Sequence, residues 1–134
     1  FKNISNAMSK KSIDIRIYGT NFNTADGSCI RDYIHVSDLS EIHIKILKKI
    51  ESIKKSVILN CGYGKGISVK QVVGSFIKIS KKDANVIILK KRPLDIVSSI
   101  ANNSNLKNFI KWKPKYNNLS LMVKSCLNWE KKLN

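Results

Sequence analysis

The sequence predicts an α/β fold in which short mixed strands alternate with amphipathic helices. Residues 13–18 alternate apolar and polar side chains, the two-residue period of a half-buried strand. A helix with one buried face is indicated by apolar residues that recur every three or four positions: Leu39, Ile42, Ile46 and Ile50. The continued alternation of such segments along the 134 residues indicates the α/β class.

The first half of the chain has clear boundaries between its predicted elements. Asp26-Gly27 is typical of a turn after the first strand, and residues 30–36 form a short extended run. We expect Asp38 to cap the following helix, with Glu41 at the capping-box position three residues later. Residues 57–59 are apolar and predict a short buried strand.

The second half predicts three helices and one strand. After a glycine-rich loop at 62–66, Ser68 can cap a helix that continues to about Ser80 and buries the apolar side chains of Val69, Val72, Val73, Phe76 and Ile77. A strand is expected at 86–89 and a short helix at 103–110. Trp112-Lys113-Pro114 ends that helix, and residues 119–132 predict a last amphipathic helix.

The charge is strongly positive, at +16, from 25 Lys and Arg against 9 Asp and Glu. A basic module that binds nucleic acid is therefore an alternative from a different functional class. The lysines are scattered doublets without interleaved aromatic residues, however, so we expect solvated surfaces and no nucleic-acid partner. The nucleic-acid alternative requires the lysines to gather on one face.

The cysteines and the hydropathy pattern restrict the cellular setting. Cys29, Cys61 and Cys126 are far apart and odd in number, which favours a reducing cytoplasm and free thiols. With His35 and His43 they show no metal-ligand spacing, so we expect no metal site. No run of 18 apolar residues occurs, and we expect neither a membrane span nor a membrane partner.

Arginine is rare in this chain, with Arg16, Arg31 and Arg92 among 25 basic residues. The composition favours Lys, Ile and Asn, so positions that retain Arg are candidates for roles that require the planar, fork-shaped guanidinium donor. Binding a phosphate group is such a role. Arg31 and Arg92 each lie in a motif, and we regard them as candidate phosphate ligands.

Several motifs together resemble one enzyme family. In chain order they are Tyr18-Gly19, the segment from Asp26 to Leu39 with its Arg31-Asp32-Tyr33-Ile34-His35-Val36 run, Asn60-Cys61-Gly62-Tyr63-Gly64 followed by Gly66 and Ser68-Val69, Arg92-Pro93 with Asp95, and Trp112 with Pro114. Their order and spacing resemble the C-terminal part of the UDP-glucose 4-epimerases. These are extended short-chain dehydrogenases/reductases of the NAD-dependent epimerase/dehydratase family, with a Rossmann-type fold.

The resemblance implies a division of labour. The family's Gly-x-x-Gly-x-x-Gly loop and its Tyr-x-x-x-Lys pair do not occur in this sequence. We therefore expect residues 1–134 to be the UDP-sugar-binding C-terminal part of a longer enzyme. NAD, the cofactor-binding residues and the catalytic residues would then belong to an N-terminal domain outside this chain.

The implied activity is that of an isomerase of galactose and nucleotide-sugar metabolism. Its substrates would be UDP-glucose and UDP-galactose, and the family's NAD takes a hydride from C4 of the sugar and returns it to the other face. Another UDP-sugar, a pentose or an N-acetylhexosamine, remains an alternative substrate. The resemblance further implies a cytoplasmic enzyme that could be a homodimer.

The resemblance also implies roles for individual residues. The family's diphosphate ligands match Arg31 and Arg92, and its ribose ligand matches Asp95. The uridine pocket is matched by three residues: Tyr18, Tyr33 and Val69. Many family members carry an aromatic residue four positions after the Asp95 position, where this chain has Ser99.

Each of these residues also has a purely structural interpretation. Arg31 could pair with Asp32, and Arg92 could pair with Asp95 within a turn. Tyr18 could be a half-buried strand residue, and Val69 could belong to the core of its helix. His35 resembles a general base, but its position before the predicted helix cap favours a structural role, because the family's acid–base group is the absent tyrosine. We expect Asp32 to brace Arg31 or a backbone turn.

Overall fold

The computed structural model describes residues 1–10 and 12–133, and it confirms the predicted α/β class. Helices alternate with short strands, and the elements in chain order are α1 (Lys2–Met8), β1 (Asp14–Tyr18), β2 (Ile30–Arg31), α2 (Val36–Leu47), a 3₁₀ turn (Ile50–Ser52), β3 (Ile67–Ser68), α3 (Val69–Ser80), β4 (Asn85–Leu89), β5 (Ser98–Ser99), α4 (Ser104–Ile110) and α5 (Leu119–Leu133). Within the described ranges, no helix combines the length and the apolar composition needed to cross a bilayer.

Two small sheets organise the strands. β1 and β4 are parallel partners, and their register places Tyr18 opposite Leu89 at the ends of both strands. β2 is the centre of the second sheet, with β3 antiparallel on one side and β5 parallel on the other. Both sheets therefore bring loops that are distant in sequence to neighbouring positions.

Two apolar clusters form the core. The first joins α1, β1, α3 and α5 through the buried side chains of Met8, Ile13, Ile15, Ile17, Val72, Val73, Phe76 and Val123. The second joins α2, α4, α5 and the loops beside them through Ile42, Tyr63, Leu106, Ile110, Trp112 and Met122. Alternate residues of β1 are buried, as the two-residue period predicts.

The predictions for α3, β1 and β4 agree with the structure. Ser68 caps α3 with a complete capping box, in which its hydroxyl accepts a hydrogen bond from the Gln71 N–H and the Gln71 side chain accepts one from the Ser68 N–H. Val72, Val73 and Phe76 are buried, whereas Val69 and Ile77 are only partly buried. The helices at 103–110 and 119–132 also occur, within one residue of the expected ends.

Three predictions are wrong, and one helix was not foreseen. α2 ends at Leu47, so Ile50 lies outside it and is exposed. α2 begins at Val36, and its cap is His35, whose Nδ1 accepts a hydrogen bond from the Ser37 N–H. Asp38 is therefore not the cap, and it lies buried in the first turn. Residues 57–59 form no strand, and Ile58 is 90% exposed. α1 occupies residues 2–8, where the sequence pattern predicted no element.

Candidate functional site

Arg31 lies on the central strand of the second sheet. β2 pairs Arg31 with Ile67 of β3 and with Ser99 of β5. Its guanidinium Nη1 donates a hydrogen bond to the Ile30 carbonyl oxygen at 2.7 Å. Among the described residues Arg31 forms no ion pair with Asp32, so the local pairing left open by the sequence is wrong. The backbone of Arg31 is fixed from both sides, and its side chain forms no ion pair with any residue that the structure describes.

Arg92 lies in the 92–95 turn, directly after β4. Its Nε and Nη2 donate hydrogen bonds to the two carboxylate oxygens of Asp95, both at 3.1 Å, so the turn ion pair that the sequence left open is present. The guanidinium carbon lies 4.7 Å from the centroid of the Tyr18 ring, which is a cation–π contact. The pairing of β1 with β4 produces this contact, because it places Tyr18 beside the end of β4.

The two arginines act on the same carboxylate. Hydrogen bonds and charge from Arg92 lower the pKa of Asp95, and the charge of Arg31 contributes in the same direction. The pairing of β2 with β5 places Arg31 opposite Ser99, four residues after Asp95, so the fold brings β2 close to the 92–95 turn. This region carries four of the six expected site residues: Tyr18, Arg31, Arg92 and Asp95.

Tyr33 and Val69 lie nearer the core. Burial raises the pKa of Tyr33, and its ring centroid lies 4.9 Å from that of Phe1. Val69 is partly buried against the first cluster, and its N–H donates to the Cys29 carbonyl at 3.0 Å. The packing interpretation of Val69 is therefore supported, although both residues adjoin the strand that carries Arg31.

Asp32 follows Arg31 and binds backbone rather than a cation. Its carboxylate accepts hydrogen bonds from the N–H groups of Tyr63 at 3.0 Å, Gly64 at 2.8 Å and Ala101 at 3.3 Å. The predicted bracing of a backbone turn is thus present. The close approach depends on Gly62, because a Cβ at that position would lie 2.5 Å from Asp32 Oδ2.

Two further carboxylates support the same region, and their contacts were not foreseen from the sequence. Asp26 accepts hydrogen bonds from the N–H and hydroxyl of Ser28 and from the hydroxyl of Ser68. Asp38 accepts from the Tyr63 hydroxyl at 2.6 Å and from the N–H groups of Lys115 and Tyr116. The sequence did contain a signal for these roles. Only nine acidic residues occur, and three of them, Asp26, Asp32 and Asp38, are spaced by six positions.

Burial alone would raise the pKa values of Asp26 and Asp38, but their hydrogen bonds outweigh it. The Ser68 and Ser28 donors lower the pKa of Asp26 overall. Tyr63 and the two backbone N–H groups lower that of Asp38. Both carboxylates are therefore held in the ionised form by donors from other segments.

The glycine-rich loop at 62–66 does not fit a dinucleotide. The N–H groups of Tyr63 and Gly64 are already used by Asp32, so they are not available to a pyrophosphate. His35 caps α2, and its ring stacks on Tyr116 at 4.6 Å. Its predicted structural role is confirmed.

Comparison with known proteins supports the resemblance over nearly the whole chain. Residues 1–62 match the NAD dependent epimerase/dehydratase family. A UDP-glucose 4-epimerase of Azospirillum brasilense is 38% identical over 119 residues, which are 89% of this chain and 34% of that enzyme. This chain thus spans about a third of the length of such curated relatives.

Solved structures show the same fold. The UDP-Glc/GlcNAc 4-epimerase of Campylobacter jejuni superposes with a TM-score of 0.88 at 37% identity, covering 98% of this chain and 40% of that one. The UDP-glucose 4-epimerase of Bifidobacterium longum, determined in complex with NAD+ and UDP, gives 0.83 at 30% identity over 96% of this chain and 38% of that one. In sequence and in fold, this chain is similar to one part of the UDP-glucose 4-epimerases, and its first 62 residues match the NAD dependent epimerase/dehydratase family.

Proposed function

We propose that this chain is the substrate-binding part of an NAD-dependent UDP-glucose/UDP-galactose 4-epimerase and that it binds the UDP of the substrate. The observation that carries this proposal is the placement of two arginines around one turn: Arg92 is bound to Asp95, and Arg31 pairs with Ser99, four residues after Asp95. Two guanidinium groups on one surface are suited to a diphosphate, which offers several anionic oxygens to fork-shaped donors.

In this proposal each residue binds a different part of the nucleotide. Arg92 uses Nε and Nη2 for Asp95, which leaves Nη1 to donate to a phosphate oxygen. Asp95 is an acceptor for ribose hydroxyl groups, and the Tyr18 ring offers an apolar face to uracil. The partly buried side chains of Tyr33 and Val69 would line the core-facing side of the uridine pocket.

Such a site binds the substrate away from the reacting carbon. Binding energy from the diphosphate would position the sugar while leaving it free to turn over, as inversion at C4 requires. NAD and the hydride-transfer residues would lie in the N-terminal remainder of the enzyme, because this chain matches only about a third of its relatives. We therefore assign residues 1–134 to the UDP-sugar-binding part and expect this chain alone to turn over no UDP-galactose.

Calorimetric titration of the chain with UDP tests this proposal. We expect measurable UDP binding that weakens by about tenfold or more in Arg31→Ala and in Arg92→Ala, the effect of losing one charge-assisted interaction. Lys124→Ala is the control, because it removes one positive charge from an exposed position on α5. Equal losses of UDP affinity in all three variants would mean that the positive charge of the chain attracts UDP without a specific site, and would contradict the proposal.

A UDP-N-acetylhexosamine is the second candidate substrate, and Ser99 is the observation that favours it. Ser99 pairs with Arg31 in the second sheet, and it stands where many family members carry an aromatic residue. The smaller side chain would leave room beside the diphosphate for an N-acetyl group. In the full-length enzyme, Ser99→Tyr should then lower kcat/KM for UDP-N-acetylglucosamine more than for UDP-glucose, whereas equal changes would remove this candidate.

A further inference from the structure

We propose that Asp32 is a positioning residue that fixes Arg31 relative to the 92–95 turn. The inference rests on the proposed function, in which Arg31 and Arg92 bind one diphosphate. Asp32 is not itself a ligand of the nucleotide. Its carboxylate is committed to backbone N–H groups of two other segments, and its effect on UDP would pass through Arg31.

The first contact of Asp32 is with the loop that follows residue 61. Both carboxylate oxygens are used, since Oδ1 accepts from the Tyr63 N–H and Oδ2 from the Gly64 N–H. Gly62 allows the loop to approach this closely. The far end of the same loop enters β3, which pairs with β2 on the side of Arg31 opposite β5.

The second contact is with the segment that leaves the 92–95 turn. The Ile30 N–H donates to the Val97 carbonyl at 2.9 Å, and the Asp32 N–H donates to the Ser99 carbonyl at 3.1 Å. Asp32 Oδ2 then accepts from the Ala101 N–H. Residues 97–101 are therefore hydrogen-bonded to the residues on both sides of Arg31, Ile30 and Asp32. Because Asp95 lies just two residues before this tied segment, the ties determine how far the turn can move from Arg31.

Simple electrostatics and this positioning role predict opposite results. A carboxylate beside a diphosphate site repels the ligand, so its neutralisation would strengthen UDP binding if charge were its main effect. If Asp32 instead holds Arg31 in place, neutralisation weakens UDP binding despite the removed repulsion. Asn at this position keeps the size but replaces one acceptor oxygen with an NH₂ group that faces backbone donors.

The test is the affinity of Asp32→Asn for UDP, alone and combined with Arg31→Ala. We expect Asp32→Asn to weaken binding about tenfold in the otherwise unchanged chain. In the Arg31→Ala background it should weaken binding by less than about twofold, because the group that it positions is absent. Asp32→Glu, which keeps the charge and both acceptors, should restore part of the affinity.

Asp38→Asn is the matched control, because Asp38 also accepts three hydrogen bonds and is fully buried. It should lower the melting temperature, but its effect on UDP should be the same with and without Arg31. Tighter binding in Asp32→Asn, or equal losses in both backgrounds, would overturn the proposal. Failure of both Asp32 variants to fold would also overturn it, since the residue would then serve stability alone. Failure of the unchanged chain to bind UDP would instead contradict the proposed function.

Discussion

Arg31 and Arg92 are held in opposite ways. The backbone of Arg31 is paired on both sides within a sheet, and the carboxylates of Asp26 and Asp32 join the chain around it to other segments. Farther from Arg31, Asp38 binds Tyr63 of the loop that Asp32 also contacts, and residues 115–116. Arg92 belongs to an exposed turn, with 62% of its side chain accessible, and depends on side-chain contacts with Asp95 and Tyr18. The proposed site therefore has a rigid side around Arg31, which we call the fixed wall, and an exposed side formed by the 92–95 turn, which can adjust.

This difference predicts how substitutions on the two sides of the site affect folding and UDP binding. Changes near Arg31 should damage folding as well as binding, because the contacts there join several segments of the chain. Changes in the 92–95 turn should affect binding with little effect on folding, because exposed ion pairs contribute little to stability.

The largest expected effect is the loss of Asp38. In Asp38→Ala, the Tyr63 hydroxyl and two backbone N–H groups lose their acceptor at a fully buried position. We expect the free energy of unfolding to fall by about 2–4 kcal/mol, as for other broken buried networks. Chemical denaturation measures this loss. Asp95→Ala, the comparison variant in the turn, should leave the melting temperature nearly unchanged, and equal losses would remove the distinction between the two walls.

Gly62→Ala should have the next largest effect. The new methyl group would lie 2.5 Å from Asp32 Oδ2 and 2.6 Å from the Ala101 Cβ, so the loop must move away. We expect destabilisation of about 1–3 kcal/mol, the usual range for overpacking.

Gly74→Ala provides the control for that change. Gly74 lies within α3, and a methyl group at this position would meet open space, with no heavy atom within 4 Å. Its replacement should stabilise the helix by about 0.5–1 kcal/mol. Denaturation of both variants gives the comparison, and a tolerated Ala at position 62 would show that the close approach is not required.

Acid should weaken the fixed wall. Asp26 and Asp38 have folded-state pKa values below those of the unfolded chain, so their stabilising effect is complete above about pH 4, the ordinary range of Asp. It is lost as the pH falls through the lowered folded-state values. Denaturation between pH 6 and pH 3 should therefore show falling stability with a shallower slope in Asp38→Asn. An unchanged slope would mean that Asp38 is not one of the groups responsible.

The smallest expected effect concerns Leu94. This residue has a φ of 64° and a side chain that is 99% exposed, so it adopts a left-handed conformation without packing in compensation. Leu94→Gly should relieve the strain and stabilise the chain by up to about 1 kcal/mol, whereas Leu94→Ala keeps a Cβ and should not. Thermal unfolding of the two variants distinguishes them, and equal melting temperatures would show that the turn carries no strain.

Local signals were enough to predict α2 to α5 and the two longer strands, but not α1. Ser68 and Gln71 form the α3 cap within one turn of the chain, and the alternation before Tyr18 needs no partner to be recognised. Asp38 has the local pattern of a helix cap, but its carboxylate is recruited by Tyr63 and by residues 115–116, contacts that arise only in the folded chain. Residues 57–59 have a strand-like composition but no strand partner in the described part of the chain.

The candidate site was predictable at the level of residue type and less so in its geometry. The scarcity of arginine indicated Arg31 and Arg92, but it could not show that Asp95 occupies two donors of Arg92 or that Tyr18 stacks on its guanidinium. These contacts depend on the pairing of β1 with β4, which joins residues about seventy positions apart.

The most direct test of the proposed shared diphosphate site is a double-mutant cycle of Arg31→Ala and Arg92→Ala on UDP binding, measured by calorimetry. If both residues bind the same diphosphate, the loss in the double variant should differ from the sum of the single losses by about 1 kcal/mol or more, because each change alters the ligand position that the other residue contacts. Losses that add to within about 0.5 kcal/mol would place the arginines in separate roles and contradict a shared site.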